Sequence, residues 1–592
     1  MHFINRSSRA RWLRAALVAT VAGSLAAAAG VTSANGTTRA VRSVVLVGHG
    51  WGPGLGMGQW GDFGYAVVYH DTYSQILSHF YGGTTLGTLA ALGRPADPTI
   101  RVLILENLNL KTNVGFDPVL TSPSAFVLAS SSTSSGSSSL PGVTGASGAS
   151  GVSTNSGAAG VSGASGVLGS SSGTATSGSS GAAASSGVSG ALGNTSASGA
   201  SGVTGPVTGA PSASGGLTVP AGSAVDLRLQ KDGTWSAFLG TSCAAASSDG
   251  TPAVTGLVNP VASPASNAPT APRSELLTLC RHDGVDEVLR GQIEAYARSG
   301  YERTLNLLPL DSYLEGVVPA EESASWGTDG GTVGAPQGQA WGFQALEAQA
   351  VAARSYTLAY GASGGWNGYA DICDTDVCEA YVGATYEYAT SDAAVADTTG
   401  QVLLGASSAQ IVVEARFSAS TGGWTAAGDF PSVSDLGDTC VVPGNPLQCN
   451  PNHTWSQTVS AAAIDWHYPR IGKLVTVRVT KRNHEGNLGG RALVVLLKGT
   501  RGEVKVGGGA FAAALGLRSD WFAVSRVLRG APVTTTTTLA PVPGGATGPS
   551  GVSGASGASG ASGVLGASGA SGPSGATGVL GTTGATGAAP TG

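Results

Sequence analysis

Two stretches decide the fold: Pro309-Leu-Asp-Ser-Tyr-Leu-Glu-Gly-Val-Val-Pro-Ala-Glu-Glu322 and Gln344-Ala-Leu-Glu-Ala-Gln-Ala-Val-Ala-Ala-Arg-Ser-Tyr356. The first predicts a short helical element with the carboxyl group of Glu321 near its end. In the second, Leu346, Ala350 and Ala353 recur near helical spacing, and the surrounding alanines combine high helix propensity with little bulk. The sequence therefore predicts a second helix that packs closely against the element carrying Glu321.

Four further segments have the short alternating or apolar pattern that is typical of β-strands: 99–105, 224–229, 474–479 and 492–497. The first two flank a Gly/Ser/Ala-rich insertion at residues 129–216. Because surface loops tolerate long insertions at small entropic cost, we expect this segment to replace one loop of a β-rich subdomain. Together, the helices and strands predict a mixed α/β (α+β) fold.

Much of the glycine lies in two tracts, although the chain as a whole contains 93 Gly and only 11% charged residues. One tract belongs to the insertion, and the other follows a Thr/Pro linker in the segment 531–592. Both repeat Gly-X-Y, the pattern of the collagen triple helix, but proline is scarce in them. A flexible surface tract is therefore favoured over a stable trimer, which stays the alternative.

The N-terminus resembles an export signal at residues 1–34. Several arginines precede an apolar, alanine-rich run that ends in small residues suited to cleavage. An uncleaved membrane anchor is the alternative, and only in that case would a membrane be a partner. The formal net charge is −5 and no Lys/Arg cluster appears later in the sequence, so we expect no nucleic acid partner. The predicted location is secreted or in the cell wall.

Six cysteines in an exported chain favour disulfides. The simplest pairing is sequential: Cys243 with Cys280, Cys373 with Cys378, and Cys440 with Cys449. A zinc site is the competing interpretation, but it needs four ligands, and no histidine lies beside Cys373 or Cys378. We therefore predict neither a metal nor another cofactor.

A glycine-rich element comes early in the chain: Gly48-His-Gly-Trp-Gly-Pro-Gly-Leu-Gly-Met-Gly-Gln-Trp-Gly61. A nucleotide-binding loop is the rival interpretation, but the element lacks the Lys-Ser/Thr signature. Two later loops, 371–383 and 418–425, contain Tyr381 and a Ser-Thr-Gly-Gly run.

These motifs resemble the SpoIID/LytB family of cell-wall proteins, which contains peptidoglycan lytic transglycosylases. The family motif Tyr-Leu-x-Gly-Val-Val-x-x-Glu matches Tyr313 to Glu321, and the family's catalytic acid falls on Glu321. The resemblance implies an N-terminal Gly-rich family element at 44–95 and a SpoIID/LytB-like domain at 99–128 and 217–526. It also implies peptidoglycan glycan strands as the partner.

The resemblance implies a set of substrate-binding residues as well: Gln59, Trp60, Arg354, Tyr381, Ser420, Thr421, Gly422 and Gly423. For Arg354, a structural ion pair is an equal alternative, and turn formation is one for Ser420 and Thr421. The chain departs from the family pattern at Pro53, which replaces a histidine, at Glu322, which replaces a methionine, and at Glu379, which replaces a glutamine.

A lytic transglycosylase needs a single carboxylic acid, whereas ordinary glycosidases use two. The acid must stay protonated near neutral pH, so we expect Glu321 to lie in an apolar site, with Val318 and Trp326 as candidate walls. Because part of the family is associated with stimulating a separate amidase, the alternative function is a non-catalytic peptidoglycan-binding modifier.

Overall fold

The computed structural model describes residues 40–109, 114–131, 216–245, 250–407, 410–439 and 449–530. The predicted signal segment, residues 132–215 of the predicted insertion, and the linker and tail lie outside the described residues. Among the described residues, no helix is both long and apolar enough to span a membrane.

The strands in chain order are β1 (Val41–His49), β2 (Met57–Gly58), β3 (Thr84–Thr88), β4 (Thr99–Leu103), β5 (Leu108–Asn109), β6 (Val114–Gly115), β7 (Val119–Thr121), β8 (Phe126–Ala129), β9 (Leu217–Val219), β10 (Ala224–Leu229), β11 (Trp235–Gly240), β12 (Val254–Leu257), β13 (Val261–Ser263), β14 (Leu277–Cys280), β15 (Glu287–Leu289), β16 (Gln292–Arg298), β17 (Tyr301–Pro309), β18 (Ile372–Cys373), β19 (Gln401–Gly405), β20 (Phe417–Ser418), β21 (Thr454–Ser460), β22 (Leu474–Arg482), β23 (Ala492–Gly499), β24 (Gly502–Gly507) and β25 (Phe522–Arg529). The α-helices are α1 (Gln59–Gly64), α2 (Tyr73–Phe80), α3 (Leu310–Glu321), α4 (Phe343–Ala362), α5 (Ala389–Asp397), α6 (Ala461–His467) and α7 (Gly508–Ala514).

The mixed α/β fold is confirmed, and all four predicted strands are present. The predicted strand at 99–105 is two residues shorter than expected, because a single 3₁₀ turn begins at Leu105. The segment 224–229 matches β10, and the other two predicted strands are the starts of the longer β22 and β23.

The largest sheet leads directly into the helix that carries Glu321. Its strand order is β18-β4-β17-β16-β13-β8-β9, and β17 ends at Pro309, which is also the N-cap of α3. Helix α3 buries Leu310, Leu314 and Val317, whose spacing places them on one face against the core. Because this face is fixed on the sheet, the end of α3 is held in a defined position.

Helix α4 lies between two hydrophobic cores. Leu346, Ala350 and Ala353 belong to the core that includes the large sheet, whereas Ala348 and Ala352 belong to a second core with α1 and α2. The helix contacts α2, α3 and α5. Alanine side chains allow these close approaches on opposite faces, so the predicted small-residue helix is confirmed.

A six-stranded sheet, ordered β12-β11-β10-β7-β14-β15, forms a second β-rich part. Strands β8 and β9 lie at one edge of the seven-stranded sheet and pair antiparallel, with Phe126 opposite Val219 and Leu128 opposite Leu217. The chain therefore leaves the described residues shortly after β8 and re-enters them just before the neighbouring strand β9.

The third core joins the two ends of the described chain. Strand β1 lies between β21 and β25, and Val44 and Leu46 pack with α6, α7 and the three-stranded sheet β22-β23-β24. The residues directly after β1 form the glycine-rich element, so this core anchors that element beside the later loops.

Candidate functional site

Glu321 is the last residue of α3, and its two carboxylate oxygens are held from different parts of the chain. The Gln59 side-chain Nε2 donates to Glu321 Oε2 at 3.0 Å, and the Ala380 backbone N–H donates to Oε1 at 2.7 Å. Gln59 is only 4% exposed, whereas Glu321 is partly exposed. The carboxyl group is thus oriented by the protein, while part of the residue remains exposed.

The surroundings of Glu321 favour its protonated form. Removal from water raises the pKa of this carboxyl, and the negative charge of Asp376 raises it further. The hydrogen bonds from Ala380 and Gln59 act in the opposite direction, because they stabilise the carboxylate. Loss of solvation is the largest of these effects, so the net shift is upward, as proton donation near neutral pH requires.

An aromatic cluster lies next to this acid. The Trp60 ring is 5.0 Å from the Trp326 ring, and the Phe63 ring stacks on Trp326 at 4.3 Å. Trp60 follows Gln59 at the start of α1, and Trp326 lies five residues after Glu321. Both tryptophans are partly exposed, so their apolar surface is partly available to a ligand.

Glu322 is buried in a different environment from its neighbour. Its backbone is extended, with φ −129° and ψ 149°, and it is 2% exposed. It lies near Asp62 of α1, which is also buried, and the proximity of the two carboxyls disfavours a negative charge on both of them. Burial raises the pKa of both groups well above their ordinary values. The adjacent glutamates therefore have separate environments.

Glu379 is a third buried carboxyl close to Glu321. Its Oε2 accepts from the Thr357 hydroxyl at 2.7 Å and from the Tyr313 hydroxyl at 3.3 Å. Burial raises the pKa of Glu379 well above its ordinary value. These bonds tie the loop after β18 to α3 and α4, and this loop supplies the Ala380 N–H to Glu321.

Two of the predicted disulfides are present, Cys243–Cys280 and Cys373–Cys378, and both have Cα–Cα distances of 5.6 Å. The second closes the loop that leads to Ala380. Cys449 is also disulfide-bonded, and Cys440 lies outside the described residues. Within the described ranges, the one group with metal-ligand spacing combines Cys243 and Cys280 with Asp286, but those two sulfurs are bonded to each other.

The glycine-rich element packs against the loop 418–425. Strand β2 pairs with β20, and the Gly54 N–H donates to the Ser418 hydroxyl at 3.0 Å. At Gly56, φ is +66° and an added Cβ would lie 1.9 Å from the Arg416 carbonyl oxygen, so only glycine fits. This close approach leads the chain into α1 with Gln59 aimed at Glu321.

The structure separates the predicted substrate contacts into accessible and inaccessible residues. Trp60 and Gly423 are partly exposed. Arg354 is 0% exposed, and its Nη2 forms an ion pair with Asp311 at 2.9 Å. Tyr381 is 3% exposed and donates to Asn306 Oδ1 at 2.9 Å. Arg354 and Tyr381 therefore stabilise the packing of α3 and its loop, and Arg354 has the structural ion pair that was the alternative to a substrate contact.

Ser420 and Thr421 are also inaccessible, and Gly422 is buried beside them. The Ser420 hydroxyl donates to Asp438 at 2.9 Å, and the Thr421 hydroxyl donates to Asp435 at 2.6 Å. In this structure both hydroxyls hold the loop, which is the alternative to a sugar contact.

The sequence reasoning missed this acidic cluster, because nothing near Asp435 or Asp438 resembles a motif. The rings of His49 and His453 are 5.6 Å apart, and His453 Nδ1 lies 3.5 Å from Asp438, a grouping of distant residues that has no local signal in the sequence. Asp62 was missed too, although it lies directly after the quoted element and three residues after Gln59. The signal that could have found it is the spacing of three residues, which would place its side chain near that of Gln59 on a helix.

The fold and site define a mixed α/β protein with a partly exposed acid at a helix end, oriented by a glycine-rich element from the N-terminal part of the chain. Residues 298–404 match the family model SpoIID, described as stage II sporulation protein. The suspected resemblance is thereby confirmed over α3, α4 and α5, and it indicates a function related to the cell wall. No curated protein and no solved structure gives a significant match.

Proposed function

We propose that this chain is an extracytoplasmic lytic transglycosylase that cleaves peptidoglycan glycan strands, with Glu321 as acid and base. The observation that carries the proposal is the environment of Glu321. This partly exposed residue has a carboxyl with a raised pKa, both of its oxygens are held, and the partly exposed Trp60 directly follows Gln59, which holds one of them. The disulfides are consistent with a location outside the cytoplasm.

The reaction requires one group that first gives and then takes a proton. Protonated Glu321 donates to the glycosidic oxygen between muramic acid and glucosamine, and the bond from that oxygen to the muramic anomeric carbon breaks. The 6-hydroxyl oxygen of the same muramic acid bonds to the anomeric carbon, and its proton passes to the Glu321 carboxylate. The acid is thus regenerated, and neither water nor a cofactor is consumed.

Two other carboxyls near the site, Glu322 and Glu379, do not supply a second catalytic group. Both are buried, and Glu379 accepts hydrogen bonds from Thr357 and Tyr313. Asp376 is exposed, and its charge raises the pKa of Glu321. Ordinary glycosidases place two carboxyls on either side of the scissile bond, so that a nucleophile or an activated water can attack. Glu321 combines partial exposure with a carboxyl held by two hydrogen bonds, so proton transfer by this one group, with attack by the substrate's own hydroxyl, is the chemistry that this site supports best.

The test is mass spectrometry of glycan strands after incubation with the protein. Glu321→Gln is expected to retain the fold and to lower the yield of anhydro-muramic ends by about two to four orders of magnitude. Glu322→Gln is the matched control, because it makes the same chemical change at the adjacent glutamate. Its yield of anhydro-muramic ends is expected to fall by less than tenfold. Equal losses would contradict the assignment, and unchanged strands with wild-type protein would favour the non-catalytic modifier of an amidase.

A further inference from the structure

A basic surface lies on the three-stranded sheet β22-β23-β24, away from the site of Glu321. Residues 470–507 contain nine Lys or Arg and two Asp or Glu, whereas the whole chain has a formal net charge of −5. One of the nine, Arg491, is buried and paired with Asp520. The others are spread along the sequence between apolar strand residues, and only Lys481 and Arg482 are adjacent. Only the pairing of the strands brings them together.

The two faces of this sheet differ in character. Val477 lies opposite Leu497, and Leu497 lies opposite Val504, in a row that packs into the third core. In the neighbouring row, Arg478 and Lys505 lie on either side of Leu496 and are exposed. Since side chains alternate between the faces of a sheet, these charges lie on its outer surface.

Lys498 completes a triangle of charges on this surface. It is exposed on the middle strand, two residues after Leu496. Arg478 and Lys505 are two strand spacings apart, or about 10 Å. Within the described residues, none of the three side chains forms an ion pair. The acid on these strands, Glu503, lies opposite Lys498 but leaves the sheet strongly positive.

The positive surface continues into a shallow cavity of about 400 Å³ at the end of the sheet. This cavity is lined by Asp465, Pro469, Gly472, Lys473, Thr500 and Arg501. Lys473 is exposed and is 3.3 Å from Asp465, and Arg501 is exposed in the turn between β23 and β24. Next to Asp465, at the end of α6, Trp466 is 81% exposed.

We propose that this basic surface binds an anionic cell-wall glycopolymer whose charges are phosphodiesters. Lysine and arginine complement phosphate, and the arginine fork can donate two hydrogen bonds to one phosphate group. The exposed Trp466 offers a flat apolar face to a sugar ring. The SpoIID match and the disulfides favour a location outside the cytoplasm, where a cell-wall polymer rather than nucleic acid would be the anion that the protein meets. The surface would hold the enzyme at the wall independently of Glu321.

The experiment measures binding of the full chain to immobilised, glycosylated poly(ribitol phosphate) at several salt concentrations. Replacing Arg478 and Lys498 by glutamine is expected to weaken binding about 25-fold, from about fivefold for each charge near a dense anionic surface. The slope of log affinity against log salt should fall by about one for each charge removed. Lys231→Gln with Arg273→Gln is the matched control, since it removes one lysine and one arginine elsewhere and is expected to leave binding unchanged.

The proposal would be overturned if the two double variants bound the polymer equally well, whether both were weakened or neither was. Tighter wild-type binding to single-stranded DNA or to phosphatidylglycerol vesicles, at equal phosphate concentration, would overturn the assignment to a glycopolymer. Trp466→Ala is expected to weaken binding to the glycopolymer but not to linear polyphosphate, and the same effect on both would contradict the sugar contact. Cleavage of polymer-free glycan strands is measured separately, so failure here and failure of the Glu321 mechanism are distinguishable.

Discussion

Replacing Gln59 by leucine is expected to change the pH range over which Glu321 acts. The Gln59 amide donates to Glu321 Oε2 at 3.0 Å and stabilises the carboxylate. Gln59 is almost fully buried, so leucine would fill a similar volume and leave little room for water in its place. Only the Ala380 N–H would then hold the carboxyl, and the pKa of Glu321 would rise further.

The size of this change follows from the energy of one hydrogen bond. A hydrogen bond to a charged group contributes about 1.5–3 kcal/mol, and one pKa unit corresponds to about 1.4 kcal/mol. The pKa of Glu321 is therefore expected to rise by about one to two units. Because protonated Glu321 starts the reaction, the alkaline limb of the rate profile should move to higher pH by the same amount.

The assay is the yield of anhydro-muramic ends from soluble glycan strands at a series of pH values. Gln292→Leu is the control, because it makes the same chemical change on β16, where the Gln292 amide donates to the Ser263 hydroxyl at 2.7 Å instead. Its alkaline limb should match that of the wild type. An alkaline limb that stays in place or moves to lower pH in Gln59→Leu would refute the reasoning.

Three further predictions concern stability, measured as free energies of unfolding in denaturant. Arg354→Met should cost about 3–5 kcal/mol, because Asp311 loses its buried partner, and a loss below about 1 kcal/mol would contradict a structural ion pair. Replacing Cys373 and Cys378 by serine should cost about 2 kcal/mol by loop entropy, and no loss would show that the loop is held without the bond. Burial raises the pKa of Glu347 to about 7, so the folded state binds this proton more tightly and stability falls as pH rises from about 4.5 through 7. Over this pH range the free energy of unfolding of Glu347→Gln should fall by about 3 kcal/mol less than that of the wild type. An unchanged dependence of stability on pH would contradict this prediction.

The helices around the site could be predicted because their signals are local. The repeat of Leu346, Ala350 and Ala353 indicates a helix at any place in a chain, and the short apolar runs indicate strands. Contacts between distant segments have no such signal. The bond between Gln59 and Glu321 joins residues 262 positions apart, and the resemblance to a known family only suggested that both belong to one site.

The sequence by itself determined α3, α4 and four of the strands, the disulfide-forming cysteines at 373 and 378, and the acid that ends α3. Only the tertiary structure decided which polar groups remain accessible. Arg354, Tyr381 and Ser420 have the right chemistry for a sugar, but packing buries them and gives them partners within the protein. Burial and pKa depend on neighbours from many parts of the chain, so neither can be predicted from the pattern of one segment.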